Sequence, residues 1–503
     1  LIKASTKLRK LRSRILVFNR GQEQVTMSKN YWRKPESKSE FDPINSLLLE
    51  LSESEAAEAE FRADFFGGTA GRRPKAAFLL MVIWITTISL NLVSWGIWVV
   101  MTVTLLVGIQ ILRYLLAKTP VQTPVLASEE LQSAPKVSLL VAAKNEEAVI
   151  SNLVAMLCSL DYPADRYEVW AIDDRSTDNT PAILDRLARE YSQLKVVHRA
   201  TNAGGGKSGA LNQVIPQTFG DIIGVFDADA KVTPDLLRRV VPLFKEKQVG
   251  AVQVRKAIAN EAENFWTRGQ AAEMALDSYV QQQRIAVGGI GELRGNGQFV
   301  SRLALDSCGG WNEETITDDL DLTIRLHLDN WKIGFLLTPA VLEEGVTKAT
   351  SLWHQRNRWA EGGYQRYLDY WRYIFKTPMG FGKRIDLLCW MLLQYILPAA
   401  NVPDGIMAIA RHRLPLLSPI TVLLFAWGFT GIFRGLVRTS IASKKSLDAA
   451  TLITIVWQSL RGLIYMVHWQ IVMLSITARM SIRPKRLKWV KTVHEGSTSF
   501  NNG

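Results

Sequence analysis

The sequence predicts a doubly wound α/β domain inserted between two groups of membrane-spanning α-helices. Three observations carry this reading. Residues 76–112 contain no charged side chain. Residues 137–226 alternate short apolar strands with helix-length segments. Beyond about residue 383 the chain turns apolar again.

Taken in order, the first methionine is Met27. Residues 1–26 are basic and lack the apolar core of a signal peptide, so they are set aside as an upstream extension. The rest of 1–75 is polar and acidic around Glu50, Glu53, Glu55, Glu58 and Glu60, and is expected to be a disordered tail. A spanning helix needs about 20 residues, so 76–117 is predicted to hold two, with a turn near 91–96. Arg72, Arg73 and Lys75 flank one end and Arg113 and Lys118 the other, which places both ends in the cytoplasm. Pro120, Pro124 and Pro135 mark a linker.

The domain is expected over 135–365. Its strands are predicted at 137–143, 167–172, 194–198 and 222–226, with helices at 146–160 and 178–191 between them. Strands alternating with helices imply a mostly parallel sheet, and ligands of such sheets bind beyond the carboxyl ends of the strands. An interfacial segment follows at 366–384. Candidate spans lie at 385–410, 416–438 and 450–476, within a membrane region expected over 385–480. Pro398, Pro403, Asp404 and Arg461 predict kinks or interior-facing sites there. Residues 481–503 form a basic tail, expected to be cytoplasmic; an odd number of crossings after the domain would put it outside.

The mean hydropathy of +0.04 averages a polar middle with apolar ends. The net charge of +13 sits beside the apolar runs, which points to anionic lipid headgroups and away from nucleic acid. Cys158, Cys308 and Cys389 are scattered and lack metal-ligand spacing, so neither a disulfide framework nor a zinc site is expected.

Four motifs carry chemistry. Asp173-Asp174 closes a strand and can accept hydrogen bonds from uracil or ribose; the following Ser176 or Thr177 can equally cap a helix. Asp227-Ala228-Asp229 closes another strand and can hold a hard divalent cation. Thr317-Asp318-Asp319 can supply a general base, or can be plain helix N-terminal chemistry. Gln355-Arg356-Asn357-Arg358-Trp359 can meet a diphosphate and wall an acceptor, or can mark an interfacial helix. Gly204-Gly205-Gly206-Lys207-Ser208 invites a P-loop reading, but Thr201 stands where that pattern requires glycine, so no ATPase is expected. A glycine loop presenting Lys207 to a nucleotide is retained.

Together and in this order the four motifs resemble family 2 inverting glycosyltransferases, the family of cellulose, chitin and hyaluronan synthases. Its pattern is an acidic pair, DxD, a TED-like triplet and QxxRW within a GT-A fold. The triplet here is Thr-Asp-Asp, and Asp319 aligns with the family's base. Segments 42–48, 141–150, 203–212, 252–260, 291–299 and 353–367 are further similar to a cyanobacterial, glycolipid-forming branch.

The resemblance implies a GT-A (nucleotide-sugar-binding, Rossmann-like) domain that takes glucose from UDP-glucose to 1,2-diacylglycerol, with Mg²⁺ or Mn²⁺. It implies that Asp173, Asp174, Lys207, Asp227, Gln355, Arg358 and Trp359 hold the nucleotide sugar. Asp227 and Asp229 would hold the metal, and Asp319 would be the catalytic base. Asp318, Gly295, Gly297 and Gln298 would shape the acceptor site. The implied partners are the two substrates and the lipid bilayer, with the catalytic domain on the cytoplasmic side of a multi-pass membrane protein. A processive β-glycan synthase of the cellulose or hyaluronan synthase type shares all four motifs and is the alternative.

Overall fold

The computed structural model describes residues 71–118, 124–443 and 446–482. The expected tail up to residue 70, the start of the linker at 119–123 and the basic tail from 483 lie outside the described residues. Two apolar helices come first, α1 (Arg72–Leu92) and α2 (Gly96–Leu116), with the turn where it is expected.

The domain then builds a seven-stranded sheet from described residues. Its strands are β1 (Val137–Ala143), β2 (Tyr167–Asp173), β3 (Leu194–His198), β4 (Ile222–Phe226), β5 (Val249–Ile258), β6 (Gln298–Ser301) and β7 (Lys332–Glu343). They lie in the order β3-β2-β1-β4-β6-β5-β7. The first four pair in parallel, and β6 runs antiparallel to both β4 and β5. The helices of the domain are α3 (Ile150–Cys158), α4 (Thr180–Glu190), α5 (Gly206–Val214), α6 (Leu236–Val240), α7 (Phe265–Ala286), α8 (Arg302–Ser307) and α9 (Asp318–Leu328).

Strands covered on both faces read as continuous apolar runs, and β1 shows why. Leu139 and Val141 pack on one face with Leu153, Val154 and Leu184 of α3 and α4. Leu140 packs on the other with Leu211 and Val214 of α5 and Leu322 of α9. The helix expected from 146 begins only at Ile150. The backbone N–H groups of Asn145 and Glu146 are taken by the hydroxyls of Ser176 and Thr180, which holds 145–149 as a turn beside the end of β2.

After β7 comes α10 (Ala349–Lys376), which runs unbroken through the expected domain boundary at 365. Buried Tyr364, Tyr367, Leu368, Tyr370 and Ile374 keep it packed throughout. Then follow α11 (Phe381–Ala410), α12 (Ser418–Ala442) and α13 (Ala449–Ile482). Among the described residues, α1, α2, α11, α12 and α13 are long and apolar enough to cross a membrane.

α11 contains a π turn at Leu392–Ile396, just ahead of Pro398, whose missing N–H suits such a break. Asp404, expected to mark an interior site, is buried. It accepts hydrogen bonds from the Asn91 amide (3.0 Å) and from the backbone N–H groups of Leu416 and Leu417 (both 2.9 Å). One carboxylate thus ties the ends of α1, α11 and α12.

α13 behaves differently. Gln458 donates to the carbonyl of Arg268 at the start of α7 (2.7 Å), and Tyr465 and Trp469 donate to Glu273 of the same helix. Arg479 donates to Asn357 of α10 (2.8 Å). The helix therefore packs on α7 and α10 of the domain side as well as on α1 and α12 of the bundle.

The junction of domain and membrane bundle is a buried ion cluster. Asp386 of α11 accepts from Tyr114 of α2 (2.7 Å), Arg284 of α7 (2.9 Å) and the N–H of Ile290 (3.2 Å). Arg284 also meets Glu292, which pairs with Arg294 (2.6 Å) and Arg366 of α10 (3.1 Å). Burial raises the Glu292 carboxyl, but the surrounding Arg366, Arg284 and Arg294 overcome it and hold the group well below the usual carboxylate range. Removing one member of a buried pair typically costs about 3–5 kcal/mol, so Asp386→Ala is expected to lower Tm sharply in detergent micelles. Wild-type Tm in that variant would show that the cluster does not join the two parts.

Candidate active site

Two strand ends and two helices place the motif residues. Asp227 and Asp229 follow β4, Asp174 follows β2, Asp318 and Asp319 open α9, and Gln355, Arg358 and Trp359 stand on α10. All of these, with Lys207 and Gly295, line one cavity of about 820 Å³.

Lys207, at the start of α5, places its Nζ 2.5 Å from Asp227 Oδ1. Burial raises the Asp227 carboxyl, but Lys207, followed by Lys256 and Arg358, holds it below its ordinary value. Asp229 Oδ2 accepts the backbone N–H of Glu344 (3.0 Å), which fixes its rotamer at the cavity edge. Among the described residues no group of three or more metal-ligating side chains occurs. Two hard carboxylates at one strand end, open to a cavity, are nevertheless what Mg²⁺ uses when substrate phosphates and water complete its shell.

Asp319 is set apart. Burial, and then the neighbouring Asp318, push its carboxyl up to about 6, against the pull of its hydrogen bond from the N–H of Leu320, of Arg294 and of Lys207. Asp318 keeps one buried oxygen without a hydrogen-bond partner. Two close approaches shape this corner. Gly295, with φ +78°, brings the turn before β6 alongside Asp319; only glycine holds that conformation without strain. At Gly362 of α10 a Cβ would overlap the Thr317 hydroxyl, so the absent side chain lets α10 rest directly on the start of α9.

Trp359 is held by cations. The guanidinium of Arg356 lies 4.1 Å from its ring centre, and Lys256 Nζ lies 5.3 Å away. Arg356 is fully buried and bonds to Glu273 (2.6 Å) and the Tyr465 hydroxyl (3.2 Å). Burial lowers Arg358, while Asp227, Asp319 and Asp318 pull it back part of the way.

The structure separates some residues that the sequence groups. Asp174 faces the cavity, clamped by Arg199 (2.6 Å). Asp173 does not line it. Its oxygens are taken by the N–H of Ser176 (2.9 Å) and by His198 (3.1 Å). Gln298 is fully buried in β6, and neither it nor Gly297 lines the cavity.

Other residues were missed. Arg199 also donates to the carbonyls of Gly204 and Gly206 and so fixes the glycine loop. Lys256 and Arg294 line the cavity.

A profile described as "Glycosyltransferase like family 2" matches residues 135–362. The chain is 58% identical over 461 residues to a β-monoglucosyldiacylglycerol synthase of Synechocystis sp., covering 91% of this chain and 96% of that one. It is likewise 58% identical over 473 residues to the enzyme of that name from Trichormus variabilis, covering 94% and 100%. Among solved structures it is similar to a mannosyltransferase from Pyrobaculum calidifontis in complex with GDP-Man and Mn²⁺. That likeness has a TM-score of 0.48 and 20% identity, over 77% of this chain and 99% of that one.

A base must be deprotonated to act, so activity that depends on Asp319 is expected to fall as pH drops through about 6. In Asp318→Asn the like charge is gone, and the acid midpoint of kcat should move to lower pH. An unmoved midpoint would mean that Asp319 does not govern that limb.

Proposed function

The chain belongs to glycosyltransferase-like family 2, and on that premise we propose that it transfers one glucosyl residue from UDP-glucose to the free hydroxyl of 1,2-diacylglycerol. The observation that carries the reading is the continuity of the cavity. From Asp319 and Arg358 it runs on past Trp390 and Leu393 of α11, Leu424 and Phe425 of α12, and Leu463 of α13. One end is lined by carboxylates and cations, the other by the apolar sides of membrane helices. An acceptor with a polar head and two acyl chains fits both ends at once, because apolar walls release water on binding a lipid tail. The names of the relatives favour this reading over a processive β-glycan synthase.

In this reading Asp174 takes the uridine. Lys207 and Arg358 neutralise the diphosphate, a stabilisation that grows as charge develops on the leaving group. Asp227 and Asp229 would hold Mg²⁺, or Mn²⁺ in its place, and a bound cation would share that diphosphate charge. Asp319 takes the proton of the acceptor hydroxyl. The acceptor oxygen forms its bond to C1 from the face opposite UDP, and the C1–oxygen bond to UDP breaks with its electron pair leaving on the nucleotide. The α-linked donor becomes a β-glucoside. Trp359 walls the acceptor side.

The same reading assigns topology. α1, α2, α11 and α12 cross the bilayer. From Gln458 to Arg479 α13 stays against the domain over roughly 30 Å at 1.5 Å per residue, so it lies along the cytoplasmic interface. Four crossings leave both described ends and the domain on the cytoplasmic side, which suits the basic residues there.

Membranes given labelled UDP-glucose, diacylglycerol and Mg²⁺ should yield a single-sugar lipid, with turnover lost in EDTA and in Asp319→Asn. Polymer, or label entering only from UDP-galactose, would overturn the substrate assignment. A green fluorescent protein fused at the C-terminus should fluoresce in the cytoplasm. An active alkaline phosphatase fusion there would instead make α13 a fifth crossing.

A further inference from the structure

Two amides stand in the cavity wall with nothing to bind. Gln394, in the π turn of α11, and Gln470 of α13 both line the cavity, and neither side chain hydrogen-bonds to another described residue. Their neighbours fix their level. Tyr395 donates to the carbonyl of Ala360 in α10 (3.2 Å). Trp469 donates to Glu273 (2.9 Å), the carboxylate that also binds Arg356 of α10. Both anchors meet the stretch of α10 that carries Arg358 and Trp359, so both amides sit where the polar end of the cavity gives way to the apolar one.

Gln394 is half-buried and Gln470 exposed, so both amides are accessible to a ligand that enters the cavity. Each amide offers N–H donors, and the acceptor they suit is an uncharged carbonyl close to the reacting hydroxyl. We propose that Gln394 and Gln470 form an ester-recognition site that grips the acyl-ester carbonyls of the lipid acceptor and so sets the depth at which its free hydroxyl meets Asp319. This rests on the lipid-acceptor reading above. It makes the enzyme selective for diester over diether glycerolipids, which differ only in those carbonyl oxygens.

The test compares dioleoylglycerol with its dialkyl ether analogue, each with UDP-glucose and the full-length protein in mixed micelles. Losing two neutral hydrogen bonds at roughly 1 kcal/mol each predicts about a thirtyfold higher KM for the ether. In the Gln394→Leu/Gln470→Leu double variant, KM for the diester should rise to the ether's value. KM for the ether and for UDP-glucose should stay put, which also reports that the variant is folded. Equal KM values for the two lipids in the wild-type protein would overturn the site without any variant. Discrimination that persists in the double variant would overturn it too. Absence of glucose transfer to either lipid by the wild-type protein would instead bring down the acceptor reading and this site with it.

Discussion

The buried cluster of Asp386, Arg284, Glu292, Arg294 and Arg366 is the constraint on which the rest depends. It joins α2, α7, α10 and α11 where a polar domain meets an apolar bundle. Charges taken out of water are costly and seldom justify themselves by stability alone. What this cluster supplies is register. Each arginine fork accepts its carboxylates in few geometries, so the domain can sit on the bundle in few ways. Arg284, Glu292, Arg294 and Arg366 also line the cavity. The groups that fix the junction are therefore also part of the wall of the passage from the acidic end to the lipid end.

A second clamp works in parallel. Glu273 gathers Arg356, Tyr465 and Trp469, and Arg356 in turn lies over Trp359. A membrane-proximal helix thereby holds an active-site indole.

Much of this was legible in the sequence, for physical reasons. β1 and β4 begin and end where their apolar runs do, because both faces of the sheet are covered there. The first two acidic motifs fall at strand ends, as loops following a parallel sheet require. Other features left no such trace. Asp173 and Asp174 look alike as a pair, yet neighbours at a strand end point to opposite sides, and only Asp174 reaches the cavity. Lys256 and Arg294 belong to the cavity through long-range strand pairing, which no local pattern encodes. The helix α10 runs on past the expected boundary at 365 because a change of environment along a helix need not break the helix.

The contact at Gly362 carries one more consequence. Where two helices meet through interlocking side chains, their separation can be retuned one methylene at a time. Here the bare backbone of α10 at Gly362 rests on the short Thr317 side chain, so the spacing from Arg358 to Asp319 has little adjustable part. Evolution or design that seeks a different lipid must leave that hinge-pin alone. It can rework the apolar walls of α11, α12 and α13, where a changed volume alters what enters and leaves the reacting geometry as it was.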